Sequence, residues 1–357
     1  MIHKQDAIYP GQLWLDTNGT RIQAHGGAVY YESGVYYWYG ENKEKTDGKN
    51  GIWTWGIRAY ASEDLYNWED LVLIIEPDTD DAKSSLYPTK KLDRPHIIKN
   101  EKTGKYVCWI KLSGEEACFV VLSADVLTGP YRIEKNEYRP YGYKIGDFDL
   151  IIEEETNKAY LYVDVCHDTI SCLKLTDDYL SVEQEICKSY ERMEYPFCRE
   201  APALFERKGK KYMLTSGVSG YAPNKSETAV SDSWEKPFQS IGDPHAGDKS
   251  GTSFNSQISK IFKVRGKKDL YIAMADRWIP ECPIDARLAE LIKRGIGAHI
   301  NPEKFLLTEV EKKKFESLPL LGAVNTSIAD YVWLPIEFEN EKISIKWKEK
   351  WSIDDYK

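Results

Sequence analysis

Five short polar stretches carry the residue types that acid–base chemistry needs, and each stands where an apolar, strand-like run begins. They are Gln23-Ala24-His25-Gly26-Gly27, Asp93-Arg94-Pro95-His96, Gly146-Asp147-Phe148-Asp149, Arg199-Glu200 and Asn255-Ser256-Gln257. Carboxylates that converge on one cavity meet the requirement of glycoside hydrolysis: one carboxyl holds a proton while another group activates water or attacks. A like-charged neighbour helps, because it disfavours ionisation of the acid. Glu200 is the leading candidate for the proton donor. Asp147 and Asp149 are two residues apart, and strand alternation puts them on one face, so both are candidates for the neighbouring charge.

The elements that must position these residues repeat along the chain. Five segments share one order: a short apolar strand, a polar turn, then an aromatic-rich strand. The pairs are residues 28–31 and 35–39, 96–98 and 105–109, 150–152 and 159–163, 201–205 and 211–215, and 259–264 and 270–274. A third strand and a Ser/Thr–Asp turn follow each of the first four pairs, ordinary hairpin chemistry. Four strands repeated five times predict an all-β fold, a five-bladed β-propeller whose innermost strands deliver their first residues to a central channel. Residues 279–322 depart from the pattern: a helix over 284–295 and a charged run over 309–316 read as a helical insertion in the last blade, bounded by Pro280, Pro283 and Gly322. Residues 331–338 and 343–347 supply the last strands. Residues 13–22 are expected to pair into that blade and close the ring. No Gly/Ser- or Pro-rich linker divides the chain, so residues 1–357 are expected to form one domain.

The totals narrow the partners. The net charge of −9, with no basic block, disfavours nucleic acid and anionic membrane, whereas an aromatic content of 13 % suits sugar-stacking surfaces. Seven Cys, an odd and irregularly spaced set with no CxxC pair, read as reduced thiols. No apolar h-region opens the sequence and no apolar run is long enough to span a bilayer, so a cytoplasmic location is expected unless a secretory signal has been removed. There is no GxGxxG, P-loop or metal-ligand spacing, so no cofactor is expected.

Taken together, Arg199-Glu200-Ala201-Pro202-Ala203-Leu204-Phe205, Gln23-Ala24-His25-Gly26-Gly27, Tyr39-Gly40-Glu41, Asp93-Arg94-Pro95, Gly146-Asp147-Phe148, Phe254-Asn255-Ser256-Gln257, Asp276-Arg277-Trp278 and Asp330-Tyr331 resemble glycoside hydrolase family 43, and most closely its exo-β-1,3-galactanase branch. The resemblance covers nearly all of the chain except about 279–322. It implies an inverting mechanism with Glu200 as general acid and Asp147 as the carboxylate that tunes it. Most of the family carries a first-blade aspartate as base; here Gln23-Ala24-His25 holds that place, and in the branch a fifth-blade glutamine, matched by Gln257, is the unusual base. Asp93 matches a glutamate of the branch. Some relatives carry a calcium ion near the propeller axis, which these residues neither require nor forbid.

Candidate substrate contacts are Gln23, His25, Tyr39, Glu41, Arg94, Arg199, Asn224, Asp276 and Asp330, with Trp109, Tyr221, Trp278 and Tyr331 as stacking surfaces. Arg94 and Arg199 are also expected to brace the carboxylates beside them. The expected activity is exo-hydrolysis of a terminal sugar from an oligo- or polysaccharide, best fitted by β-1,3-linked galactose. An α-L-arabinofuranosidase, β-xylosidase or β-galactofuranosidase on the same fold is the alternative, and a carbohydrate-binding propeller without catalysis is the rival from another class. Oligomeric state is not legible in the sequence.

Overall fold

In the computed structural model, which describes residues 4–191, 198–318 and 324–357, five sheets, antiparallel except for one outer edge strand, stand around one axis. Blade one is β1 (His25–Glu32), β2 (Val35–Glu41), β3 (Ile57–Ser62) and β4 (Glu69–Ile75). Blade two follows as β5 (Leu92–Lys99), β6 (Tyr106–Leu112), β7 (Cys118–Ala124) and β8 (Arg132–Tyr138). Blade three is β9 (Ile145–Glu153), β10 (Lys158–Val165), β11 (Thr169–Leu175) and β12 (Val182–Ser189), and blade four β13 (Arg199–Arg207), β14 (Lys210–Gly217), β15 (Glu227–Ser231) and β16 (Gln239–Gly242). Blade five is built from β17 (His245–Ala246), β18 (Gln257–Lys263), β19 (Tyr271–Arg277), β20 (Asp330–Glu339) and β21 (Lys342–Lys346). The fold is the five-bladed propeller expected from the repeats.

Local chemistry explains the hairpins. The β13–β14 turn needs two residues of positive φ, and Lys208-Gly209 supplies them, φ 50° and 77°, with the glycine free of Cβ strain. The aromatic second strands feed the wedges between blades rather than any open surface. Trp38, Trp333, Trp68 and Trp14 fill the seam between blades five and one, Tyr39 and Cys108 the next, and Trp109 and Phe148 the one between blades two and three. The innermost strands pack round the ring in the order β1, β5, β9, β13, β18 and back to β1.

Ring closure differs from expectation. Residues 13–22 fold back on themselves through an antiparallel bridge between Leu15 and Arg21, and Ile8 makes the closing pair with Trp351. Trp14 plugs the seam, its indole N–H donating to Tyr66 O at 3.1 Å. A strand not expected from sequence, β17, runs parallel to β21 and adds an outer edge to blade five. Among the described residues, the insertion between β19 and β20 holds two α-helices, α1 (Ala286–Ile300) and α2 (Glu309–Glu316). Asp285 caps α1, Thr308 and Glu311 form a capping box on α2, and α2 buries no residue, as a solvated charged face should. Gly322, the expected boundary, lies outside the described residues. Among the described residues no helix is long and apolar enough to cross a membrane.

Candidate active site

Every innermost strand breaks register near its first residues. The shift falls between His25 and Ala28 on β1, Asp93 and His96 on β5, and Glu200 and Ala203 on β13. On β9 it falls at Gly146–Asp147, opposite Asp164, and on β18 between Ile258 and Lys260. Such bulges re-aim side chains and end pairing next to cavities. Gly26, Arg94 and Ala201 pass through the left-handed region there, φ 59°, 51° and 53°. The ladder also sets who faces whom before each break: Asp93 is opposite Lys111, Glu200 opposite Ser216, and Gln257 opposite Asp276.

The strand ends converge on a hollow of about 250 Å³. Asp93, Asp147, Glu200 and Glu41 give its carboxyl groups, Arg94, Lys111 and Lys91 its cations, and Trp53, Tyr221 and Trp278 its aromatic wall. Its volume lies below the ~300–1,000 Å³ of drug-sized pockets, a scale that suits one sugar ring. Larger hollows exist, one of about 380 Å³ against α1 and others of about 390 and 550 Å³ along blade seams, but the mouths of the inner strands do not meet in them.

The carboxyl groups are driven apart electrostatically. Glu200 is pushed up to about 8, first by burial and then by the charge of Asp147. Asp147 is buried too, which favours its neutral form, but two cations win: Arg94 Nε lies 2.9 Å from Oδ2 and Lys111 Nζ 2.5 Å from Oδ1, and they hold it below the usual carboxylate range. A protonated carboxyl therefore stands beside an ionised one at neutral pH, the division of labour that acid catalysis requires. Glu41 is raised to about 7 by burial against the pull of Lys43, whose Nζ is 2.7 Å away, and it accepts the Arg94 backbone N–H at 2.9 Å. Asp93 accepts from the Trp53 indole at 2.6 Å and from the Ser113 hydroxyl. The Gln257 amide is held at both ends: Arg94 donates to its Oε1 at 3.0 Å, and its Nε2 donates to Ser216 Oγ at 2.9 Å and approaches Glu200 Oε1 at 3.5 Å.

The sequence profile of glycosyl hydrolases family 43 matches residues 24–270. The chain belongs to that family. Among solved structures, a family 43 β-1,3-galactosidase is 28 % identical with a TM-score of 0.78; the alignment covers 99 % of this chain and 65 % of that one, so the chain spans just under two thirds of that protein's length. An exo-β-1,3-galactanase from Clostridium thermocellum is 24 % identical with a TM-score of 0.74, over 97 % of this chain and 66 % of that one. One from Phanerochaete chrysosporium, crystallised with β-1,3-galactotriose, is 21 % identical with a TM-score of 0.75, over 98 % and 68 %. No curated protein sequence shows significant similarity to the chain.

In this family 43 chain, Glu200, Asp147, Asp93, Gln257, Arg94, Glu41, Tyr221 and Trp278 line the hollow, whereas other expected contacts stand behind it or away from it. His25 is fully buried: its Nδ1 is 3.0 Å from Asp276 Oδ1, its ring stacks on Tyr331 at 4.8 Å, and burial lowers its pKa. His25, Asp276 and Tyr331 thus form a floor beneath Trp278 rather than sugar contacts. Gln23 is buried and donates to Ser327 O at 2.9 Å, so the first blade reaches the hollow through Glu41 on β2 instead. Tyr39 and Trp109 are corrected to core residues: the Tyr39 hydroxyl accepts from Ile97 N, and the Trp109 indole donates to Tyr179 O in the next seam. Arg199 braces backbone, donating to Thr215 O and Lys225 O, and Asn224 ties its own loop through Gly217 and Ser219. Asp330 pairs with Arg21 at 2.7 Å. Asp149 separates from Asp147 and sits fully buried against Lys260 at 2.5 Å.

That last pair also tests the axial calcium. A Ca²⁺ ion takes six to eight oxygen ligands. Here the buried axial carboxylate already accepts from Lys260 Nζ and Leu204 N, and Lys260 also takes Leu150 O at 2.9 Å. An internal ammonium holds those oxygens, so Asp149 and Leu150 do not fit a calcium ion. Lys111, Ser216 and Trp53 were missed by sequence reasoning. The first two are cross-strand partners of Asp93 and Glu200, a signal that needed the register; Trp53 arrives on the long β2–β3 loop, which carries no such signal.

Proposed function

We propose that the chain is an inverting, exo-acting glycoside hydrolase that releases terminal β-1,3-linked galactose. The observation that carries the hydrolase reading is Glu200, kept protonated to about pH 8 beside an ionised Asp147 in one small hollow. The linkage rests on the likeness to a β-1,3-galactosidase and to exo-β-1,3-galactanases. Glu200 gives its proton to the glycosidic oxygen while water attacks the anomeric carbon from the opposite face. Gln257, in its imidic form, accepts the water's proton on Nε2 and returns to the amide by losing its Oε1 proton to solvent; Arg94, beside Oε1, orients that side chain. Burial, joined by the charge of Asp147, keeps Glu200 protonated in the free enzyme. The aromatic wall of Trp53, Tyr221 and Trp278 limits the hollow to one ring, which favours action at chain ends.

The experiment is incubation with β-1,3-galactotriose, followed by proton NMR during the first turnovers, with a panel of aryl arabinofuranosides, xylosides and galactofuranosides alongside. Stepwise release of α-galactose is expected. A β-anomer as first product, cleavage that skips the terminal unit, or faster turnover of another sugar would each refute the corresponding part; binding without release would favour a non-catalytic propeller.

A further inference from the structure

The turn that joins β10 to β11 brings a second pair of groups to Glu200. Val165 pairs with Thr169, so Cys166, His167 and Asp168 alone make the turn, and Cys166 and His167 both take positive φ, 56° and 54°. Neither is glycine, and side-chain-bearing residues held in this region are strained, a strain that clusters at functional sites. The turn places His167 against Asp164. Asp164 is fully buried; its Oδ1 accepts the His167 backbone N–H at 2.9 Å and its Oδ2 meets His167 Nδ1 at 2.5 Å. Gly146 on β9 makes room for this carboxylate, since a Cβ there would lie 2.1 Å from Asp164 Oδ2. With Nδ1 engaged, Nε2 is the free nitrogen, and the imidazole side chain is 45 % exposed. An oxygen of Glu200, an oxygen of Asp164 and a nitrogen of His167 lie within 4.8 Å of one another, a span that one water bridges.

We propose that Asp164 and His167 form a dyad that serves the catalytic acid: the imidazolium stabilises the Glu200 carboxylate as its proton leaves, and then returns a solvent proton to it. The inference rests on the hydrolase reading above. The step balances. The Glu200 O–H gives its proton to the glycosidic oxygen as the C–O bond breaks, and its electron pair stays on the carboxylate. His167 then passes a proton to Glu200, and water from bulk solvent restores the imidazolium, so no net proton is taken from Asp164. Glu200 is only 9 % exposed, whereas the His167 side chain is 45 % exposed, so the imidazole is the more accessible of the two to solvent. The other groups facing it are Asp147 from β9, Lys111 from β6, Arg94 from β5 and Arg199 on its own strand; the first two cations are committed to Asp147 and the last to backbone oxygens. His167 is paired as well, through Nδ1 to Asp164, but its ring keeps a second nitrogen outside that pair. Its own pKa, raised to about 9 mainly by Asp164, keeps it charged at neutral pH. Three donors, one of them already paired as an ion with its neighbour, make a poor cation site by comparison.

The test uses the full chain and two substrates: β-1,3-galactobiose, whose leaving oxygen needs a proton, and 2,4-dinitrophenyl β-galactoside, whose leaving group departs as a phenolate. His167→Asn is expected to lower kcat on the disaccharide at least about 10-fold more than on the activated glycoside, and to move the basic limb of kcat/KM to higher pH, because Asp164 is then left unpaired beside Glu200. Equal losses on the two substrates, or a basic limb that stays in place, would overturn the proposal. A measurement independent of turnover, and of whether that variant folds, is NMR titration of the His167 ring in the wild type and in Glu200→Gln. Its midpoint is expected to fall when the Glu200 charge is gone; an unchanged midpoint overturns the dyad even in an active enzyme. A shifted midpoint in a protein that releases no galactose supports the coupling and refutes the hydrolase reading instead.

Discussion

Asp147→Asn isolates the contribution of one charge to the acid. In the wild type Glu200 holds its proton up to about pH 8, so kcat/KM should fall above that pH. Removing the neighbouring negative charge favours the Glu200 carboxylate and moves its pKa down. At an effective dielectric constant of ~20 and a separation of ~5 Å, two unit charges interact by about 3 kcal/mol, which corresponds to roughly two pH units. Arg94 and Lys111, released from Asp147, push the same way. The basic limb should thus fall to about pH 6, leaving roughly one tenth of the acid protonated at pH 7. Release of galactose from β-1,3-galactobiose, followed from pH 4.5 to 9.5, should show a loss of about 10-fold at pH 7 that shrinks as the pH is lowered towards 5. A thermal melt checks that the orphaned cations have not unfolded the protein, since breaking a buried pair costs about 3–5 kcal/mol. A basic limb that stays near 8, or a loss uniform across pH, would show that Asp147 acts only through substrate contact.

Glu200→Gln should reduce kcat on the disaccharide by about 100-fold or more, because the isosteric amide has no proton to give. It should also change how stability depends on pH. The folded protein keeps a proton on Glu200 that the unfolded chain releases between about pH 4.5 and 8, so wild-type stability declines as pH rises through that window. Denaturant titrations should find the variant's advantage growing from pH 5 to pH 8 by a few kcal/mol; parallel curves would contradict the raised pKa. Trp351→Ala should cost about 3–5 kcal/mol, read as a lower urea midpoint at unchanged slope, because Trp351 is buried, pairs with Ile8 and donates to Trp333 O at 2.9 Å. A loss below ~1 kcal/mol would mean that the Ile8–Trp351 pair does not hold the ring closed.

The propeller was legible because its repeats keep one order of strand, turn and strand, and because polar residues mark each inner-strand mouth. The polar clusters that hold Glu200, Asp147, Asp93, Arg94 and Gln257 follow from that pattern, while the choice of Asp147 over Asp149 and the roles of Asp93 and Gln257 come from the family resemblance; these residues do meet. What failed has a common cause. In a propeller both faces of a blade are buried against neighbours, so an aromatic such as Trp109 or Tyr39 looks the same in sequence whether it fills a seam or lines a cavity. Bulges add a second obstacle: each shifts the count of residues, so Lys111 and Ser216 are placed by a register that alternation does not give. His25 reads as a polar residue at an inner-strand mouth and Tyr331 as a stacking surface, yet only packing tells a floor from a wall.

The register breaks at the strand mouths have a further consequence. At these points a bulge interrupts the ladder, so the side chains beside it are aimed into the hollow rather than into a seam between blades. The scaffold is thereby insulated from its own chemistry. A propeller of this kind can trade one polar group for another at the hub, as where Gln23-Ala24-His25 stands in the first blade and Glu41 reaches the hollow from the next strand, without renegotiating how its blades stack. Diversification of specificity and preservation of architecture then fall on separate sets of residues.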